Sequence, residues 1–171
     1  MLKDLLEKKK AAILERWFQL ILETYPADTA IFLRRERDRF VNPVGHTLSQ
    51  ETKTLYECLS CGIDSEKACV SLENIIRIRT VQDFSPSEAV QFVHCLKTAV
   101  KEELAQEMRG EEMLGEWLKF ESDVDHLSLL AFDIYMKCRE KISDIRINEM
   151  RKERDRAMKL MARSGIITND Q

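Results

Sequence analysis

The sequence is short of the residues that end helices and form tight turns. Its 171 residues include five glycines and three prolines, well below the usual shares of about 7% and about 5%. β-Sandwiches, barrels and doubly wound folds connect many short elements and need more turn residues than these. The scarcity therefore predicts an all-α chain with long helices, and one domain is the simplest expectation at this length.

Long apolar runs are also missing. No stretch of about 18 apolar residues occurs, which argues against a membrane-spanning helix. Lysines at positions 8–10 interrupt the N-terminal segment where a secretory signal needs its apolar core. Five cysteines are an odd number, and without an export signal we expect them to be reduced thiols in a cytoplasmic protein.

The charge is weak overall but unevenly distributed. The formal net charge is −3, which argues against a general nucleic-acid binder. Residues 139–163 hold nine basic and five acidic side chains, a local charge of +4 that leaves −7 for the rest. This segment could contact an anionic membrane surface or partner, although the interspersed acids favour a solvated helix face.

Apolar residues recur at helical spacing along most of the chain. A first helix is predicted from Leu2 to about Thr24 and a second from Pro26, while residues 42–45 are interpreted as a tight interhelical turn. Two further helices are predicted over 46–60 and from 64 or 65 towards 81. The apolar side of the second helix would be Ile31, Phe32, Leu33 and Phe40.

The clearest helix boundary is Ser85-Pro86-Ser87-Glu88. It places a capping hydroxyl, a first-turn proline and a reciprocating glutamate in the order of a capping box. A fifth helix is predicted to follow. Its apolar face would be Ala89, Phe92, Val93, Leu96, Ala99, Val100 and Leu104.

The last helix is predicted over 123–163, about 60 Å long at about 1.5 Å per residue, with a possible break at 122–123. It is longer than a helical head of residues 1–120 can cover, so we expect it to project. The apolar residues along this helix, its apolar stripe, would then pack against a second copy in a homodimer. The alternative is a monomer in which the C-terminal end of the helix frays. The stripe is Leu114, Trp117, Leu118, Val124, Leu127, Ala131, Ile134, Cys138, Ile142 and Ile145.

Cys58-Leu59-Ser60-Cys61, with Cys69 eight residues on, is a candidate metal or redox motif. Zinc needs four ligands, so His94, Cys95 or His46 would have to supply the fourth. The simpler interpretation is that these cysteines are small buried hydrophobes. His94 is also a candidate haem ligand, and Asp123-x-x-His126 matches half of one di-iron helix motif.

No phosphate loop, nucleophile elbow or metalloprotease motif is present, so a non-enzymatic protein is expected. The more unusual segment is 77–84, where polar side chains stand among apolar ones just before the capping box. Arg77, Arg79, Gln82 and Asp83 could form an internal network that fixes this corner, or could bind a polar ligand or partner. The sequence pattern is compatible with both interpretations.

Three segments together resemble a known family. They are Arg39–Gly45, Ile75–Ser87 and Phe92–Lys97, and they are similar to the N-terminal domain of RsbR-type co-antagonists of RsbT, the RsbRD N-terminal domain family. The resemblance implies a globin-like helical sensory domain that dimerises, typically without haem, and has no catalytic residues. In multidomain relatives a linker helix leads to a STAS domain, for which this chain has no room, so it resembles a stand-alone sensory half, as found among anaerobic bacteria.

The resulting expectation is a non-enzymatic sensory or regulatory protein-interaction module without a cofactor. It would dimerise through its C-terminal helix and signal through changes in helix packing. The alternative is a haem-, iron- or zinc-binding helical protein using Cys58, Cys61, Cys69 or His94.

Overall fold

The computed structural model describes residues 2–36, 38–61, 65–82, 84–108 and 110–164, without the side chains of Cys61 and Ser65. The elements in these ranges are all helical, which confirms the predicted class. They are α1 (Leu2–Lys8), α2 (Lys10–Leu22), α3 (Ala27–Arg35), α4 (Pro43–Cys61), α5 (Ser65–Val81), α6 (Pro86–Glu103) and α7 (Glu111–Arg163).

The chain divides into two compact units, residues 1–135 and 136–171. In the first unit, α4 packs against α5 and α2 against α6, while α2 also contacts α4 and α5 contacts α6. Fully buried apolar side chains fill the space between these helices, so they form the core. The largest of these are Trp17, Tyr56, Phe92, Ile13, Ile21, Leu22, Leu48, Leu55, Leu72, Ile75 and Ile76.

The first helix is divided where a single one was predicted. Lys9 leaves helical geometry, with φ −102° and ψ 13°, and separates α1 from α2. Its side chain donates to the carbonyl oxygen of Glu103 at 2.6 Å and pairs with the Glu107 carboxylate at 2.7 Å. These bonds tie the junction of α1 and α2 to the end of α6.

The predicted apolar side of the second helix is wrong except for Leu33. Leu33 is buried, whereas Ile31, Phe32 and Phe40 are 50%, 47% and 81% exposed. Successive helical residues are about 100° apart, so Leu33 cannot share one inward face with its two predecessors. Phe40 lies beyond the end of α3.

The predicted turn at residues 42–45 is instead the start of a helix. Pro43 begins α4, where a proline loses no intrahelical hydrogen bond. Asn42 is buried, and its Oδ1 accepts from the Gly45 amide at 2.8 Å while its Nδ2 donates to the carbonyl oxygens of Leu33 and Glu36. One side chain therefore caps α4 and holds the end of α3.

Two glycines on helices should respond in opposite ways to alanine. A Cβ at Gly45 would lie 2.3 Å from Asn42 Nδ2, but a Cβ at Gly115 meets nothing within 4 Å. We expect Gly45→Ala to lower the free energy of unfolding by about 2 kcal/mol through loss of the cap. Gly115→Ala should raise it by about 0.5–1 kcal/mol. Urea denaturation of both variants measures this, and a neutral Gly45→Ala would contradict the close packing of the cap.

The last helix begins at Glu111 rather than at residue 123, and it continues through 122–123 without a break. The prediction of a long C-terminal helix is confirmed. In the first unit, α7 pairs with α6 through Lys97–Asp125 at 2.6 Å and Lys101–Glu121 at 2.9 Å. Its inward residues are Met113, Trp117, Phe120, Val124, Leu127, Ala131 and Tyr135.

Several members of the predicted stripe do not face inward. Leu114 and Leu118 are each 56% exposed. In the second unit Ile145 is 58% exposed and Cys138 is buried. From residue 139 to residue 164 every side chain is exposed except Ile142, which is half-buried.

Candidate functional site

The corner between α5 and α6 is built as the sequence predicts. Ser85 Oγ accepts from the Glu88 amide at 3.4 Å, and the Glu88 carboxylate accepts from the Ser85 amide at 2.9 Å. This is a complete capping box, with Pro86 in the first turn. The hydrogen bonds from Ser85 stabilise the ionised carboxylate and lower the pKa of Glu88.

Arg79 is the unusual residue of this corner, because its guanidinium is fully buried. Nη2 donates to Thr24 Oγ1 at 3.0 Å and to the Glu88 carbonyl oxygen at 2.9 Å. Nε and Nη1 have no hydrogen-bond partner within the described ranges. A buried charge with unused donors is costly, and the loss of solvent lowers the pKa of Arg79.

Two aromatic rings pack against this guanidinium. The Phe84 ring centroid lies 4.1 Å from the guanidinium carbon and that of Tyr25 lies 5.3 Å away. The two rings meet edge to face at 5.2 Å. Such contacts favour the cation electrostatically and recover part of the desolvation cost. Tyr25 donates to Gln82 Oε1 at 3.1 Å, and burial raises the pKa of its hydroxyl.

The four predicted site residues do not form one cluster. Arg79 and Gln82 both contact Tyr25, whereas Arg77 is exposed. Arg77 lies about 200° away from Arg79 around α5. Asp83 lies outside the described residues. Sequence reasoning missed Tyr25 and Thr24, which precede the corner by more than fifty residues and carry no local signal of this contact.

The metal candidates whose side chains the structure describes lie on three different helices. Cys58 is buried on α4, Cys69 is half-buried on α5, and His94 is exposed on α6; the side chain of Cys61 lies outside the described residues. Among the side chains that the structure describes, no group of three or more His, Cys, Asp or Glu residues could hold a metal ion. His94 lies 4.0 Å from Asp125, whose pKa is lowered mainly by its bond to Lys97.

A cleft of about 550 Å³ opens elsewhere, between α2, α3 and α4. Its volume is in the range of small-molecule pockets. Charges of both signs surround it, since Arg34 and Lys53 lie near Glu15 and Glu36. Phe18, Leu14 and Leu33 supply its apolar wall. The sequence pattern contained no signal for this cleft.

α7 has a second apolar face, which the sequence pattern did not distinguish from the buried one. In the first unit, Leu114, Leu118, Leu129 and Phe132 are all at least 45% exposed. At about 100° per residue they fall within an arc of about 60° around Leu118. The buried residues Leu127 and Ala131 lie about 140–180° from Leu118, and the buried residues Trp117 and Tyr135 lie about 60° from the nearer edge of the arc. This part of α7 therefore has one apolar face in the core and one exposed.

The second unit also carries exposed apolar side chains on one side of α7. Ile147, Met150, Met158 and Met161 are 38–60% exposed and lie within an arc of about 80°. Large apolar patches at a surface indicate interaction sites. Among the described helices none is long and apolar enough to span a bilayer.

Comparison with known proteins identifies the family. The family model of the RsbT co-antagonist protein RsbRD N-terminal domain matches residues 11–150, which is most of the chain. The chain belongs to the RsbRD N-terminal domain family. Membership implies a regulatory domain of the sensory type that interacts with other proteins.

An archaeal relative shows that the similarity extends over almost the whole chain. An uncharacterized protein of Archaeoglobus fulgidus is 25% identical over 157 residues, covering 91% of this chain and 93% of the relative. No solved structure matches.

Replacing Arg79 with an apolar side chain of similar length should stabilise this RsbRD-type domain. Arg79→Met removes a buried charge with two unused donors, so we expect the free energy of unfolding to rise by about 1–2 kcal/mol. Arg77→Met is the matched control, and its exposed position predicts a change within about 0.5 kcal/mol. Chemical denaturation measures both. A loss of stability in Arg79→Met would show that the bonds and ring contacts outweigh the desolvation cost.

Proposed function

We propose that this chain is a non-enzymatic regulatory module of the cytoplasm that forms a homodimer through α7. A signal or partner acting at the Arg79 corner would alter helix packing, and α7 would transmit the change to a protein partner. Membership in a family of regulatory domains supports the general role. The exposed apolar face of α7 supports the dimer.

The single observation that carries the dimer is the exposed apolar side of α7 in the first unit. Leu114, Leu118, Leu129 and Phe132 are half-exposed in a helix whose other face is already buried. Complete burial of such a side chain is worth about 1.5–3 kcal/mol, so each could gain about 1 kcal/mol from a partner surface. Two copies contribute twice this number, which is enough to offset a substantial part of the cost of association.

The Arg79 corner supports the sensory part of the proposal. It joins the end of α2 to the start of α6 through Thr24 and the Glu88 carbonyl, so a displaced guanidinium would change both contacts. A ligand can shift such an equilibrium only by binding two packings with different affinity. Two unused donors on Arg79 provide a basis for that difference, because an anionic or carbonyl-bearing group could occupy them in one packing.

The molar mass in solution tests the dimer. Light scattering at micromolar concentration should give twice the chain mass for the full protein and the single-chain mass for the variant that combines Leu118→Gln with Leu129→Gln. Both substitutions are at exposed positions of α7, so they remove apolar contact area from the dimer without opening the core. A monomeric full-length protein would overturn the proposal.

A further inference from the structure

The cleft between α2, α3 and α4 combines an apolar wall with charged side chains. Its volume of about 550 Å³ is sufficient for a molecule of the size of an amino acid. In the apolar wall, Leu14 and Phe18 of α2 are half-buried and Leu33 of α3 is buried. A small ligand in this cleft can therefore bury an apolar group against these three side chains.

Side chains of opposite charge line the cleft from two different helices. Glu15 is on α2 and Lys53 is on α4. The ion pair of Lys10, at the start of α2, with Glu57, near the end of α4, measures 2.9 Å and fixes the register of the two helices. One helical turn further along are Leu14 on α2 and Lys53 on α4. Because Glu15 follows Leu14, Glu15 and Lys53 lie at the same level of the cleft.

Neither of these two charges has an ion-pair partner in the ranges that the structure describes. The Glu15 carboxylate accepts from the neutral amide of Gln19 at 3.4 Å, and Lys53 forms no hydrogen bond in these ranges. One turn away, Lys10 and Glu57 connect the same two helices directly. Glu15 and Lys53 thus border the cleft as an acid and a base that a bound molecule could connect.

Two further charged residues, Arg34 and Glu36, also line the cleft. They are two residues apart in sequence, at the end of α3 and just after it. The Glu36 carboxylate already accepts from the Asp38 amide at 2.8 Å. Glu15 and Lys53 are therefore better placed to hold the two ends of one ligand, because they belong to separate helices.

We infer that the cleft binds a free apolar amino acid. The ammonium group of the ligand pairs with Glu15, its carboxylate pairs with Lys53, and its side chain packs against Leu14, Phe18 and Leu33. A simple anion would lie beside the Glu15 carboxylate and a simple cation beside the Lys53 ammonium, so only a zwitterion is attracted by both. This site goes beyond the proposed function, since it requires neither the dimer nor the Arg79 corner.

Three probes with the same phenyl ring separate these ligand classes. They are L-phenylalanine, 3-phenylpropanoate, which lacks the ammonium group, and phenethylamine, which lacks the carboxylate. Isothermal titration calorimetry on the full chain should give a Kd on the order of 1 mM for L-phenylalanine. The other two should bind about fivefold more weakly, since each loses one partly exposed ion pair. Equal or tighter binding of either one, or no binding of L-phenylalanine, overturns the inference.

Two substitutions assign the charges within the cleft. Glu15→Gln should weaken L-phenylalanine and phenethylamine about fivefold but not 3-phenylpropanoate, whereas Lys53→Gln should weaken L-phenylalanine and 3-phenylpropanoate but not phenethylamine. Both residues are exposed, so the fold is retained. Glu112→Gln on α7 and Arg77→Gln on α5 are matched controls at exposed positions outside the cleft. Equal effects of the controls, or the same effect of both variants on all three probes, would overturn the assignment.

Discussion

Trp17→Ala should lower the free energy of unfolding by about 3–5 kcal/mol, the largest effect expected of any single substitution here. Trp17 is completely buried in α2, and its indole N–H donates to the Phe92 carbonyl oxygen of α6 at 2.6 Å. Truncation would leave a cavity between the two helices and an acceptor without this donor. Urea denaturation at one fixed protein concentration measures the loss, because dimerisation would itself add stability.

Two neighbouring substitutions divide this effect into its parts. Trp17→Phe keeps an aromatic ring but removes the donor, so we expect a smaller loss of about 1–2 kcal/mol. Phe18→Ala removes a half-buried ring from the edge of the cleft and should cost less than Trp17→Ala. If Phe18→Ala were the more destabilising variant, the α2–α6 contact would not be the centre of the core.

The second large effect concerns association. Leu118→Gln combined with Leu129→Gln should raise the dimer Kd about a thousandfold. Each dimer would lose four half-exposed apolar contacts of about 1 kcal/mol, and about 1.4 kcal/mol corresponds to a factor of ten. Sedimentation equilibrium over a range of protein concentrations measures this change.

Ile145→Gln provides the matched control for this pair of substitutions. Ile145 is 58% exposed, against 56% for Leu118, but it is not on the apolar face of α7 defined by Ile147, Met150, Met158 and Met161. Its substitution should leave the Kd within about threefold of the wild-type value. Equal weakening by both variants would mean that general hydrophobicity, rather than a defined face, drives association.

Features set by nearby residues were predictable from the sequence. The capping box at Ser85 depends on two side chains three residues apart, and the structure contains both of its hydrogen bonds. The start of α4 next to Asn42 could not be predicted from the local sequence pattern. Its neighbours Pro43 and Gly45 are turn residues in most contexts, yet here they form the first turn of α4, because Asn42 caps it and also holds α3.

The candidate site was only partly predictable, for physical reasons. The sequence marked Arg79 as a polar residue among apolar ones, but its surroundings come from Thr24 and Tyr25, on a helix end distant in sequence. On α7, the helical spacing of apolar residues predicted one face where the structure has two. Leu114 and Leu118 continue the spacing of Trp117 and Val124, but they are exposed whereas Trp117 and Val124 are buried. Only the packing of the first unit shows which face is already occupied.

The central claim is that the exposed apolar face of α7 pairs two copies. Amide hydrogen exchange at concentrations about a thousandfold apart, above and below the dimer Kd, tests it most directly. Between residues 139 and 164 no described side chain is buried, and a helix without packing is marginally stable in water. We predict that exchange in 139–163 slows markedly at the higher concentration while exchange in α6 does not change. Identical exchange in 139–163 at both concentrations would contradict the account.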